Sequence, residues 1–268
     1  MTEETCRRRL GKIMLEQMEI ISQCEIAPRI FSLELAGEMV LEMQPGQFLH
    51  MRVPDASKLL RRPISISEID RVGKKARLIY RVEGDGTRMF SRMKSGDRID
   101  CMGPQGNGFD LSGLGFGDKA LIIGGGIGVP PLVEVAKVLH ERKVEVTSVL
   151  GFATASSVIL EEELRQYGRV LVTTDDGSYG IKGYVSQIVD QLTEDFSAVY
   201  ACGAPGMLSY VNQTFEEHPR AYISMEARMA CGMGACYACV VHIKDQSESA
   251  HKRVCEEGPV FETGTIIV

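Results

Sequence analysis

Four of the eight cysteines, Cys231, Cys236, Cys239 and Cys255, crowd into twenty-five residues near the C-terminus. Four residues separate the first pair, two the second, and Cys255 follows sixteen positions after Cys239. Thiolates at these spacings match the plant-type [2Fe-2S] pattern, in which single electrons are passed without a change of substrate. Gly232, Gly234 and Ala235 leave the backbone free to curl and to aim amide N–H groups at cluster sulfurs, which tunes the potential. Zinc is the alternative, although zinc ribbons bring two Cys-x-x-Cys knuckles and this segment has one. Cys6, Cys24, Cys101 and Cys202 are scattered and by default read as small buried hydrophobes.

A second candidate site lies earlier, in Leu59-Leu60-Arg61-Arg62-Pro63-Ile64-Ser65-Ile66-Ser67. Two arginines open an otherwise core-like strand, and a guanidinium fork suits a pyrophosphate. Ser65 could offer a hydroxyl and an amide to a flavin ring edge. Ile79-Tyr80-Arg81-Val82-Glu83-Gly84-Asp85-Gly86-Thr87 is a strand running into a glycine turn and a hydroxyl, a second possible phosphate cradle. Each piece alone also fits a solvated strand end or a plain turn. A third candidate, Ala120-Leu-Ile-Ile-Gly124-Gly125-Gly126-Ile127-Gly128-Val129-Pro130-Pro131, is a buried strand, a glycine turn and a proline-opened helix. Such a turn lets a pyrophosphate approach the backbone and the helix N-terminus. Val129 stands where the third glycine of the dinucleotide fingerprint belongs, so the Rossmann motif proper is absent.

The elements that must position these residues change texture at Gly103. From Met18 to Gly103, predicted strands at 30–35, 47–53, 63–67, 77–82 and 98–102 are separated by glycine, proline and charged turns, which suggests a small antiparallel barrel. Beyond it, strands at 120–123, 144–150, 170–174, 198–201 and 221–225 alternate with helices at 132–140, 158–167, 185–192 and 206–215. That alternation predicts right-handed crossovers and a doubly wound parallel sheet of about five strands. The expected division is a barrel over residues 10–105, an α/β domain over 106–224 and a cluster-binding segment over 225–268. Apolar residues at 44% and charged residues at 25% suit a soluble globular chain with a real core. A net charge of −6 supplies no field to hold nucleic acid. The longest apolar run, residues 120–133, is broken by glycines and prolines and falls short of a membrane span, so no membrane partner is expected. The N-terminus lacks a secretory pattern and its Arg7-Arg8-Arg9 reads as a solvated end, so a cytoplasmic, reducing location is expected, where disulfides do not persist.

Taken together, the barrel, Arg62-x-x-Ser65, Gly86-Thr87, Gly103-Pro104-x-Gly106 and the glycine-rich α/β domain resemble the ferredoxin–NADP reductase superfamily. The resemblance implies FAD held by Arg62, Pro63, Ile64, Ser65, Ile79, Tyr80, Arg81, Gly86 and Thr87. It also implies NAD as an exchangeable substrate at Gly124, Gly125, Gly126 and Gly128, with Cys202 beside the nicotinamide; strand-end packing is the alternative role for Cys202. The superfamily pattern has tyrosine where this chain has Ile64. Arg-Arg-Pro-Ile-Ser-Ile together with Cys255-Glu-Glu-Gly-Pro-Val-Phe261 narrows the resemblance to the electron-transfer subunits of dihydroorotate dehydrogenase B. Membership would imply an oxidoreductase subunit of pyrimidine biosynthesis. A [2Fe-2S] cluster on Cys231, Cys236, Cys239 and Cys255, with FAD, would then carry electrons to NAD from an FMN-containing catalytic subunit, in a heterotetramer of two each. NADP-dependent relatives commonly carry arginine in the region matching Gly151–Glu163. None stands there, so NAD is the expected dinucleotide. Small subunits of an NADH-dependent ferredoxin–NADP oxidoreductase or a sulfide dehydrogenase, and a non-catalytic redox sensor, remain alternatives.

Overall fold

The computed structural model describes residues 13–247 and 249–268; Cys6 and Arg7–Arg9 lie outside the described residues. Six strands, β1 (Met14–Ala27), β2 (Ile30–Ala36), β3 (Phe48–Met51), β4 (Arg62–Asp70), β5 (Lys75–Arg81) and β6 (Arg98–Gln105), close a barrel in the order β1-β2-β5-β4-β3-β6. All its pairings are antiparallel, and β1 against β6 closes the ring so that no barrel edge is left open. Met18, Ile20, Leu33, Leu35, Leu49, Met51, Ile66 and Leu78 fill the interior. The long strand β1 was not among the predicted elements. Its Met-x-Glu-x-Met-x-Ile alternation is diluted by glutamates and glutamines that face solvent. A short helix, α1 (Asp85–Phe90), begins within the Gly84–Thr87 turn.

The second body is a seven-stranded sheet in the order β10-β9-β8-β7-β11-β12-β15, two strands more than predicted. β7 (Lys119–Gly125), β8 (Glu145–Phe152), β9 (Gly168–Thr174), β10 (Ile181–Lys182), β11 (Ala198–Cys202) and β12 (Ala221–Ser224) are parallel. β7 alternates Ala120 and Ile122 into one core with Leu121 and Ile123 into the other, as a strand covered on both faces requires. Helix α2 (Pro130–Glu141) starts on two prolines, which suit the first helical turn, and lays Leu132, Val135, Ala136 and Leu139 on the sheet. The two predicted helices at 158–167 and 185–192 shrink to α3 (Glu161–Arg165) and α4 (Ser186–Val189). The β-branched pair Val158-Ile159 and a left-handed Leu160 precede the first of these. Helix α5 (Pro205–Thr214) matches its prediction closely.

The C-terminal segment is tied into both bodies. β15 (Val260–Glu262) adds antiparallel to β12, so Val260 and Phe261 of the cysteine-containing segment belong to the sheet. β13 (Val240–His242) and β14 (His251–Arg253) form a separate hairpin. Cys239, Val254, Cys255 and Phe261 share one core with Leu121, Ile123 and the barrel residue Phe48. Asn107, just past the barrel, donates its side-chain amide to the carbonyls of Glu256 (3.2 Å) and Glu257 (3.0 Å). Its main-chain N–H reaches the Gly258 carbonyl at 2.7 Å. Across the other side, buried Glu134 of α2 accepts the Ile69 N–H at 2.9 Å, fixing barrel against sheet.

Candidate functional site

Between barrel and sheet runs one cleft of about 1470 Å³. That exceeds the roughly 300–1,000 Å³ of a single small-molecule pocket and leaves room for two ligands end to end. Its barrel wall carries Arg62, Pro63, Ile64, Ser65, Ile79, Tyr80, Arg81, Gly86 and Thr87 together, and its sheet wall carries Gly125, Gly126 and Gly128. The sheet wall stands where β8 lies on one side of β7 and β11 on the other. In open α/β sheets ligands bind outside the strand ends at this reversal of strand order.

On the barrel wall the two arginines part company. Arg61 turns inward, ion-paired with Asp100 at 2.8 Å and donating to the carbonyls of Asp100 (2.9 Å) and His50 (3.2 Å). Arg62 is held by carbonyls of its own loop, Leu60 at 2.7 Å and Arg61 at 3.2 Å. Its guanidinium lies across Gly86, where an added Cβ would stand 2.9 Å from Nε. Glycine at 86 therefore lets the cation lie against the first turn of α1. The Thr87 hydroxyl is spent locally: it accepts from the N–H groups of Glu83 (3.0 Å) and Gly84 (3.3 Å) and donates to the Gly84 carbonyl (3.1 Å). Tyr80 lines the cleft near its main chain, while its ring stacks with Phe31 and meets Phe90 edge-on inside the barrel, its hydroxyl donating to Gln23 at 2.8 Å. Arg81 is ion-paired with Glu83 at 2.6 Å.

On the sheet wall, Gly126 has φ +53° and nothing within 4 Å of an added Cβ, so its backbone is bare toward the cleft. Gly128 answers to packing, since a Cβ there would fall 2.4 Å from the Cys202 carbonyl oxygen. Gly124 does not line the cleft; a Cβ on it would strike Val129 at 2.8 Å. Cys202 is 2% exposed in the sheet core and is likewise absent from the cleft wall, which Gly203 forms instead. Burial pushes the Cys202 thiol up to about 12, so it stays protonated. Glu226, which the motifs did not single out, stands on the cleft wall. Burial raises its carboxyl, the charge of Glu83 adds to this and Arg81 opposes it. Asp175 lines the sheet end of the cleft; only its place after a predicted strand could have signalled it.

The four clustered cysteines come together, Cys236 against Cys231 and Cys255 against Cys239, with Cys231 also near Cys255. Among the described residues no three His, Cys, Asp or Glu side chains close on one metal point. Two sulfur pairs suit a binuclear cluster better than a single tetrahedral zinc. Amide N–H groups aim at three of the sulfurs: Met233 to Cys231 (3.4 Å), Gly234 to Cys255 (3.2 Å) and Cys255 to Cys239 (3.5 Å). Gly232 and Gly234 have φ +69° and +76°, and a Cβ on Gly234 would collide with Glu256 Oε2 at 1.6 Å. Main-chain hydrogen bonds at Cys231 and Ala238 bring the exposed Cys236 thiol down to about 7. Burial, then contact with Cys239, pushes Cys255 up to about 12. Arg253 clamps the loop from behind: it donates to the Gly234 carbonyl at 2.7 Å, pairs with Glu256 (2.9 Å) and Glu257 (2.5 Å), and lies 5.1 Å over the Tyr237 ring. Of the isolated cysteines, Cys101 is buried as expected, whereas Cys24 is exposed. The reason is the register shift between Ile20 and Ser22 on β1, which reverses the alternation that buries Met18 and Ile20 and turns position 24 outward.

Comparison with known proteins gives three family matches in chain order. Residues 12–109 match an oxidoreductase FAD-binding domain, 122–213 an oxidoreductase NAD-binding domain, and 226–267 the iron-sulfur cluster binding domain of dihydroorotate dehydrogenase B. A dihydroorotate dehydrogenase B (NAD(+)) electron transfer subunit from Streptococcus mutans is 64% identical, covering 96% of this chain and 99% of that one. The subunit of the same name from Bacillus caldolyticus is 47% identical over 94% of this chain and 98% of its own. Among solved structures, a chain of the NADH-dependent reduced ferredoxin–NADP oxidoreductase superposes with a TM-score of 0.82 at 29% identity, covering 94% of this chain and 90% of that one. A Neisseria gonorrhoeae ferredoxin–NADP+ reductase shares the fold, with a TM-score of 0.64 at 16% identity, over 81% of this chain and 94% of that one. The chain therefore belongs to the family of dihydroorotate dehydrogenase B (NAD(+)) electron-transfer subunits.

Proposed function

We propose that this chain carries electrons from an FMN-containing, dihydroorotate-oxidising catalytic subunit through its [2Fe-2S] cluster and FAD to NAD, in cytoplasmic pyrimidine biosynthesis. The observation that carries this reading is the single cleft shared by the flavin motif and the nicotinamide glycine loop, with the cysteine segment packed against β3 of the same barrel. Bound flavin supplies the conversion between the electron pairs a nicotinamide exchanges and the single electrons a cluster carries. The protein's share is placement. Arg62, fixed by the carbonyls of Leu60 and Arg61, meets the pyrophosphate, and Pro63, Ile64 and Ser65 border the ring system. The main chain of Ile79, Tyr80 and Arg81 and the Gly86-Thr87 turn complete that wall. Gly126 admits the dinucleotide with no side chain in the way, Gly125 and Gly128 flank it beneath Met207 and against the Cys202 carbonyl, and buried Cys202 backs the nicotinamide end by filling space. Cys231, Cys236, Cys239 and Cys255 hold the cluster.

The functional units follow the division 10–105, 106–224 and 225–268, with β15 reaching back to the sheet. The cysteine loop, with Met233 and Tyr237 exposed, offers the face for the catalytic subunit, in an assembly of two copies of each. Gly151–Glu163 carries no lysine or arginine and Asp175 adds negative charge at that end of the cleft, which favours NAD over NADP. No helix among the described residues is long and apolar enough to cross a membrane.

The test is the visible spectrum of anaerobic protein before and after NADH, with and without a co-expressed FMN-type dihydroorotate dehydrogenase. Flavin and cluster bands that bleach with NADH, plus dihydroorotate-dependent NAD reduction only with the partner, are the expected result. Bleaching without partner-dependent turnover would move the assignment toward the ferredoxin-linked complex. NADH should show a lower KM than NADPH, and the reverse order would overturn the dinucleotide preference.

A further inference from the structure

His50 on β3 and Gln105 at the end of β6 are 0% and 1% exposed. Neither ring nitrogen of His50 and neither carboxamide atom of Gln105 has a hydrogen-bond partner in the protein. A buried polar group left unpaired costs about 1–3 kcal/mol, and folds seldom leave several together without a ligand or water to satisfy them. These atoms converge on one spot. A Cβ built on Gly232 would stand 2.3 Å from His50 Nδ1 and 2.9 Å from Gln105 Oε1. Gly232 directly follows Cys231, so both side chains press on the cluster loop at its first cysteine. The same two residues also touch the flavin side of the molecule. His50 is registered with Pro63 of the Arg62–Ser65 motif, and Gln105 with Phe48, which lines the cleft.

We propose that His50 and Gln105 are positioning residues for the [2Fe-2S] cluster, donating hydrogen bonds at its Cys231 side and joining it to the flavin-bearing strands. Four thiolates make such a cluster an electron-rich acceptor, and N–H donors aimed at its sulfurs set its reduction potential. An imidazole and a carboxamide supply donors without adding a fixed charge. Burial first, and then the positive charges of Arg61 and Arg62, lower the His50 pKa. The tie through β3 and β4 fixes the cluster edge relative to the flavin motif, which matters because electron transfer depends on their separation.

The proposal rests on the cluster reading of the four cysteines, and its test separates the two. In the full chain carrying flavin and cluster, His50→Leu and Gln105→Leu should shift the cluster's midpoint potential to more negative values. They should also change the EPR spectrum of the reduced cluster, with iron lost to a chelator about tenfold faster. FAD content and the KM for NADH should stay unchanged. His50→Gln, which keeps an N–H donor, should restore most of the wild-type potential. Leucine variants with full iron, unaltered potential and unaltered EPR spectrum would overturn the proposal and leave the pair around a trapped water. Should His50→Leu not fold, Gln105→Leu and His50→Gln decide by the same readouts. Wild-type protein without iron would overturn the cluster reading, and this proposal with it.

Discussion

The two walls of the cleft are built from opposite materials. The barrel wall presents a cation on a closed sheet, with Arg62 pinned by two carbonyls and laid across Gly86. The sheet wall presents backbone, with Gly126 bare toward the cleft and Gly125 and Gly203 carrying only the Met207 side chain above them. A pinned guanidinium binds a pyrophosphate with little ordering cost and suits a cofactor that stays. Bare amides at strand and helix ends recognise a phosphate backbone without enclosing it and suit a substrate that must leave. A third region, the cysteine loop, follows neither plan. Three of its four cysteines stand in a loop with two left-handed glycines, held in place by Arg253 and by the strands it packs against.

The sharpest way to separate these regions is to remove one ligand of the cluster. Cys239→Ser should abolish the cluster's visible bands and partner-coupled turnover, while NADH still reduces the flavin at a rate within about threefold of wild type. Loss of flavin reduction as well would mean that the loop and the cleft are one unit. Next in size, Arg62→Ala should weaken FAD retention by about 10–100-fold, the worth of a charge-assisted hydrogen bond, read as flavin released on dialysis. Its neighbour provides the contrast. Arg61→Ala should lower stability by about 1–3 kcal/mol, because Asp100 loses its nearer partner and keeps only Arg52 at 3.7 Å, yet leave flavin affinity within about threefold. On the opposite wall, Gly126→Val places a branched side chain in the cleft at φ +53°, and the KM for NADH should rise about tenfold with FAD content unchanged. Flavin loss in that variant would show that the walls do not act separately. The smallest effect belongs to Cys202→Ala. Hydride transfer should stay within about threefold, at a stability cost of about 1 kcal/mol for the cavity. With the thiol pushed up to about 12, wild type and variant should share one pH–rate profile from pH 6 to 10. A large rate loss would restore a direct role for Cys202 at the nicotinamide.

Much of this protein could be read from its chain because the informative signals were local. The cysteine spacing and the glycines between them state a cluster loop, since ligand geometry and left-handed turns are decided within a few residues. The strand–glycine–proline run states a crossover sheet for the same reason, and the texture change at Gly103 marks where one kind of period gives way to another. What could not be read was set by contacts between distant segments. Arg61 and Arg62 are identical as letters and both border the cleft, and only the Asp100 ion pair, thirty-nine positions away, ties the first of them into the barrel. Tyr80 stands on the cleft wall, but only barrel closure decided that its ring turns toward Phe31 and Phe90. β15 completes the sheet only by returning to β12 across the whole cysteine segment, and His50 and Gln105 meet Gly232 only because segments more than a hundred residues apart pack together. The sequence by itself determined which cofactors could be held, since those motifs are short-range chemistry. Which side chains face them was decided by tertiary structure, because facing is a property of packing and no residue carries it alone.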